Sequence, residues 1–131
     1  HIFGAGDRWR YGLVVPFLRP YGGDVHAGNW FRHPDALPYL KARWRPDRYA
    51  GIGEFNLHQV NSADSETVRA VARMTAETNR LLHVHADSQV IEAIFAHTPD
   101  ARILWAHAGM ADPPEVIART LAAHENLWAE I

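Results

Sequence analysis

The chain has 131 residues, 47% of them hydrophobic and 11% aromatic, which is enough apolar material for the core of one domain. Its 13 basic and 15 acidic residues give a net charge of -2, so neither nucleic acid nor an anionic membrane is the expected partner. No apolar run approaches the roughly 18 residues of a membrane helix, and we expect a cytoplasmic protein. Because there are no cysteines, any metal site must use carboxylates and the nine histidines.

Short apolar runs bounded by turn residues predict five buried strands, at residues 13–18, 51–57, 81–86, 103–108 and 127–131. Helical periodicity between these runs predicts four helices, at residues 36–44, 65–80, 88–97 and 113–124. Asp87 and Asp112 precede two of these helices and are predicted to cap them. Residues 20–34 form a long irregular connection, in which His26, Trp30 and His33 are candidates for a lid.

Strands that alternate with helices predict right-handed crossovers and a parallel sheet covered by helices. This α/β class leaves two options, an open doubly wound sheet or a (β/α)8 barrel. No Gly-x-Gly-x-x-Gly turn follows a strand, which disfavours a dinucleotide fold. A barrel takes about 250 residues, so five strands would be little more than half of one. The chain starts without Met and stops inside an apolar run, and we therefore expect residues 1–131 to be a single incomplete domain.

Period-two alternation predicts which strand side chains share a face of the sheet. In the first of the three central runs it places four side chains together: Ile52, Glu54, Asn56 and His58. His83 and His85 share a face of the next run. In the third it places His107 with Ile103 and Trp105, and it points Leu104 and Ala106 outward.

Glu54, His85 and His107 thus fall near the C-terminal ends of three successive strands. Parallel α/β sheets and barrels bind their ligands at that end. One carboxylate and two imidazoles suit a divalent metal ion, with zinc as the first choice and manganese or iron as alternatives, and they leave coordination positions open. Such an ion activates water and polarises a carbonyl or phosphoryl oxygen, which is the chemistry of hydrolysis.

Three segments of the chain resemble successive strands of the amidohydrolase superfamily, in its amidohydrolase-related and TatD-like branches: GIGEFNLH at 51–58, LLHVHAD at 81–87 and ILWAHAG at 103–109. Members are metal-dependent hydrolases on a TIM barrel, and some relatives are decarboxylases. The resemblance implies a partial barrel in which 13–18 is the third strand and 127–131 the seventh. The family's first-strand His-x-His pair and last-strand Asp have no counterpart in these residues.

By resemblance, Glu54 matches the fourth-strand carboxylate, His85 the fifth-strand ligand and His107 the sixth-strand imidazole, which binds metal or activates water. We expect Glu54 and His107 to be catalytic and all three residues to bind metal. Asn56, His58 and His83 are candidates for the substrate pocket, His83 also as a support for the ligands.

The predicted function is metal-dependent hydrolysis of a carbonyl, amide, ester or lactone centre in a small-molecule substrate. Two alternatives remain open. One is nonhydrolytic decarboxylation by the same type of site, for which an arginine near the pocket, such as Arg19, is the residue to test. The other is a noncatalytic remnant or interaction module whose histidines only fill the interior. A homo-oligomer is kept as an option because a partial barrel exposes strand edges.

Overall fold

The computed structural model describes residues 29–108 and 110–130. These residues form a parallel sheet of four strands, ordered β1-β2-β3-β4 as in the sequence. The strands are β1 Gly51–Asn56, β2 Leu81–His85, β3 Arg102–Ala106 and β4 Leu127–Ala129. The helices are α1 Ala36–Arg43, α2 Val60–Ala63, α3 Glu66–Glu77, α4 Ser88–His97 and α5 Pro114–Ala123. The α/β class and the parallel sheet with flanking helices are therefore confirmed.

Most predicted elements are present with boundaries moved by a few residues. Four of the predicted strands appear, and α4 has the predicted bounds. The helix predicted at 65–80 ends earlier, at Glu77, and the short helix α2 was not predicted. The strand predicted at 13–18, like Arg19 and His26, lies outside the described residues.

One face of the sheet forms the core with the helices. Ile52, Phe55, Leu82, Ile103 and Trp105 are buried there in one cluster with apolar residues of α3 and α4. Two of the described helices, α3 and α4, begin at a side-chain cap; at α3, Ser65 Oγ accepts from the Val68 N–H at 3.3 Å. In the part of the chain that is described, no helix is long and apolar enough to cross a membrane.

Strand β1 departs from regular alternation. Its register with β2 moves from Ile52 opposite Leu82 to Phe55 opposite Val84, so that Gly53 and Glu54 together oppose one residue. Ile52 and Phe55 are consequently both buried in the core. The prediction that Ile52 shares a face with Glu54 is therefore wrong, because a bulge adds a residue to the strand.

Gly53 is the residue that makes this bulge possible. Its φ is +140°, a conformation that side chains strongly disfavour. A Cβ atom at this position would also collide with the carbonyl oxygen and the Cβ atom of His83 on the adjacent strand. Glycine is thus required both by the backbone conformation and by the close approach of β2.

The faces of β3 are the reverse of the predicted ones. Ile103 and Trp105 are buried in the core with the helices, whereas Leu104 lies beside His83 and Ala106 beside His85 in the register with β2. Side chains of residues paired in a parallel ladder point to the same face. The placement of Leu104 and Ala106 away from the histidines was therefore wrong.

The predicted caps have different outcomes. Asp87 caps α4 as expected, since its Oδ1 accepts from the Val90 N–H at 3.1 Å. Asp112 does not cap α5, whose N-cap residue is Pro113. Its carboxylate instead accepts two hydrogen bonds from Ser88, whose backbone N–H lies in the first turn of α4 and has no acceptor within that helix.

Within the connection predicted at 20–34, Trp30–Arg32 forms a 3-10 helix. Trp30 is fully buried, and its indole N–H donates to the Asn56 carbonyl oxygen at 3.2 Å. It packs on Phe55 with ring centroids 4.7 Å apart. Trp30 is therefore a core residue and not part of a lid.

Candidate metal centre

Three polar side chains meet at the C-terminal end of the sheet. Glu54 lies in the bulge of β1, His85 is the last residue of β2, and His107 directly follows β3. Glu54 Oε1 is 3.5 Å from His85 Nδ1 and 3.2 Å from His107 Nε2. The structure thus brings together the carboxylate and both imidazoles that the sequence predicts to be metal ligands.

The backbone of His107 explains how it reaches this position. Regular alternation beyond β3 would turn its side chain to the face of Trp105, which is the helix-packed face. His107 instead has φ +52°, a left-handed conformation that ends the extended strand. The predicted convergence with Glu54 is therefore found, although the strand face on which it was predicted is wrong.

The three side chains differ in burial. The exposed fraction is 18% for Glu54, 29% for His85 and 46% for His107. The two imidazole rings have centroids 5.1 Å apart and are inclined at 61°. Glu54 thus forms the buried side of the group and His107 its exposed side, which leaves a direction of approach for a water molecule or a substrate.

The donor set fits a divalent cation. Each of the three residues offers one ligand atom, and these atoms lie within 4.8 Å of one another. Ligand atoms around a tetrahedral zinc ion at about 2.0–2.1 Å are roughly 3.4 Å apart, so small side-chain movements would complete the geometry. One carboxylate oxygen and two imidazole nitrogens suit zinc, manganese or iron.

His83 lies next to this group and is 2% exposed. Desolvation lowers the pKa of His83 from its ordinary value, and the charges of Glu54 and Glu130 oppose this effect in part. The Glu130 carboxylate is 3.6 Å from His83 Nε2. Burial therefore favours a neutral imidazole between two carboxylates.

The other candidates for the substrate pocket differ in exposure. Asn56 is 8% exposed and aligns with His85 in the sheet register. His58 is exposed and lies beyond the end of β1. Neither belongs to the group of three candidate ligands.

Two features of the site did not follow from strand patterns. The contact between Glu130 and His83 joins side chains of two strand regions that are not neighbours in the sequence. The link from Asp112 to Ser88 joins residues 24 positions apart, and a sequence motif for helix capping pointed to the wrong helix. Only tertiary packing reveals such a contact.

The chain was compared with protein-family models, with curated proteins and with solved structures, and none of them matches it.

Proposed function

We propose that the chain is part of a metal-dependent hydrolase of the amidohydrolase type, which acts on a carbonyl, amide, ester or lactone centre of a small molecule. The observation that carries this proposal is the convergence of Glu54, His85 and His107 from three consecutive parallel strands. Ligand-binding sites of α/β proteins lie at this end of the strands, where loops can vary without disturbing the core.

The strand order supports a partial (β/α)8 barrel. A doubly wound sheet binds its ligand where the strand order reverses. The four described strands follow one another in sequence order without a reversal, as neighbouring strands of a barrel do. In the proposed barrel they are strands four to seven.

Each residue has a role in this proposal. Glu54 and His85, the more buried pair, hold the cation, and the partly exposed His107 is a third ligand or orients the attacking water. A divalent cation supplies a Lewis acid that polarises a carbonyl oxygen and makes water more acidic. The buried His83, next to the charges of Glu54 and Glu130, supports the ligands as a neutral neighbour.

Metal content tests the proposal directly. The purified protein is loaded with Zn²⁺, dialysed and analysed by elemental mass spectrometry. We expect about one equivalent for the unchanged chain, and a loss of most of it in Glu54→Ala and His85→Ala. His58→Ala is the matched control, because it removes an exposed imidazole outside the group. A chain without stoichiometric metal, or a Glu54→Ala variant that keeps it, contradicts the proposal.

Product analysis tests the reaction class. The metal-loaded full-length protein is incubated with a panel of nitrophenyl esters, anilides and lactones, and with aromatic carboxylic acids. We expect metal-dependent release of acid with nitrophenol or aniline from the esters and anilides, and ring opening of the lactones to hydroxy acids. Release of CO₂ from the carboxylic acids alone would identify a decarboxylase instead.

A further inference from the structure

The segment between β3 and α5, which begins with His107, is hydrogen-bonded to α4 through Asp112. His107 follows the last residue of β3, and Asp112 lies five positions later, just before α5. Met110, between them, is 73% exposed. Ala108, directly after His107, is 2% exposed and its N–H donates to the Glu130 carbonyl oxygen at 3.0 Å, so the segment becomes exposed only beyond Ala108.

Asp112 makes the contact at the far end. Its Oδ2 accepts from the Ser88 backbone N–H at 2.7 Å, and its Oδ1 accepts from the Ser88 hydroxyl at 2.8 Å. Ser88 is the first residue of α4 and lies three positions after His85. Both carboxylate oxygens thus bind one residue of the segment that carries the other histidine.

A second link joins the same two segments on the side of the core. The buried indole N–H of Trp105 donates to the carbonyl oxygen of Ala86 at 2.7 Å. Trp105 precedes His107 by two positions, and Ala86 directly follows His85. His107 therefore lies between two points, Trp105 and Asp112, at which its segment is hydrogen-bonded to the residues that follow His85.

We infer that Asp112 is a positioning residue, which sets the distance between His85 and His107 through its two hydrogen bonds to Ser88. The geometry alone supports this role, and only its effect on a bound cation rests on the proposed function. Hydrogen-bonded carboxylates of this kind are strong contacts because the acceptor is charged. Without them, the part of the segment beyond the buried Ala108 loses its hydrogen bonds to α4.

The competing explanation is that Asp112 only stabilises α4, whose first turn has unpaired N–H groups. Asp87 provides the comparison, because its Oδ1 accepts from the Val90 N–H of the same turn at 3.1 Å. Asp87 belongs to the segment between β2 and α4 and does not bind the segment of His107. Asp87→Ala therefore removes a cap from α4 and leaves the link intact.

The first measurement needs no metal. Ring protons of His85 and His107 are close enough for a nuclear Overhauser effect, since the ring centroids are 5.1 Å apart. We expect this cross-peak in the unchanged metal-free protein and in Asp87→Ala, and its loss or strong weakening in Asp112→Ala. Asp112→Asn should retain it in large part, because the amide can accept from the N–H and donate to the hydroxyl oxygen of Ser88.

The second measurement is the affinity for Co²⁺, followed by its visible absorption. We expect binding about tenfold weaker in Asp112→Ala, in line with other residues that orient metal ligands, and little change in Asp87→Ala. Unfolding in urea, measured for both variants, shows whether their losses of helix stability are comparable.

The outcomes separate the two proposals. An unchanged cross-peak in Asp112→Ala overturns the positioning role, whether or not the protein binds metal. Equal loss of the cross-peak in Asp87→Ala and Asp112→Ala also overturns it, because helix stability then explains both. A cross-peak that depends on Asp112 in a protein that binds no Co²⁺ supports the positioning role and contradicts the metal-dependent function.

Discussion

His107 Nε2 lies 3.2 Å from Glu54 Oε1, on the face of the sheet opposite to the helix-packed face on which regular alternation from Ile52 and Trp105 would place both side chains. Two local irregularities bring them together. A bulge in β1 turns the Glu54 side chain away from the core. The left-handed conformation of His107, which directly follows β3, turns its side chain towards Glu54. Irregular backbone of this kind is frequent beside functional sites.

Metal should stabilise the folded chain. A ligand that binds only the folded state at 100 times its dissociation constant raises the free energy of unfolding by about 2.7 kcal/mol. We expect an effect of this size for Zn²⁺ in urea unfolding, its reversal by a chelator, and its absence in Glu54→Ala. A zinc effect that persists in Glu54→Ala would show that the ion binds elsewhere.

Gly53→Ala should destabilise the protein strongly. The substitution forces a side chain into φ +140° and against the His83 carbonyl oxygen, so we expect a loss of more than about 1 kcal/mol in urea unfolding. Gly51→Ala is the comparison on the same strand, since Gly53 is the one described glycine with a positive φ. Similar losses in both variants would show that the conformation of Gly53 has no special importance.

Stability should fall in mild acid because of His97. Burial lowers the pKa of His97 from 6.5, although the Ala63 carbonyl, which accepts from its Nε2 at 3.0 Å, acts in the opposite direction. Below pH 6.5 the unfolded chain then binds more protons than the folded chain, so stability is complete above this pH and decreases as the pH falls towards the lower pKa of the folded state.

The check compares urea unfolding at several pH values for the unchanged protein and His97→Gln. Glutamine can donate to the same carbonyl but does not titrate, so we expect a smaller decrease in stability with acid. Any contribution from the buried His83 is present in both proteins and cancels in the comparison. Identical pH profiles would exclude His97 as a source of the acid sensitivity.

Trp105→Phe should weaken the contact between β3 and the end of β2. The substitution removes the N–H that donates to the Ala86 carbonyl oxygen and leaves space in the core. We therefore expect the free energy of unfolding to fall by about 1–3 kcal/mol. Trp128→Phe is the matched control, because Trp128 is 43% exposed. A Trp105→Phe variant as stable as this control would show that the buried hydrogen bond contributes little.

The positions of the strands were predictable because apolar runs such as residues 81–86 are short and end at turn residues. The direction of individual side chains was less predictable, since alternation requires a regular pleat, and both Gly53 and His107 interrupt it. Nothing local distinguishes Asp112 from a cap of α5. Its actual partner, Ser88, is chosen by the packing of α4 beside the segment after β3.

Because all four described strands are parallel, each is joined to the next by a crossover containing a helix, and no hairpin connects any two of the residues in the candidate centre. No fragment cut between β1 and β2, or between β2 and β3, retains Glu54, His85 and His107 together. Cobalt absorption would therefore report on the assembly of β1, β2 and β3 during refolding, and limited proteolysis within α3 or α4 should abolish it once the fragments separate.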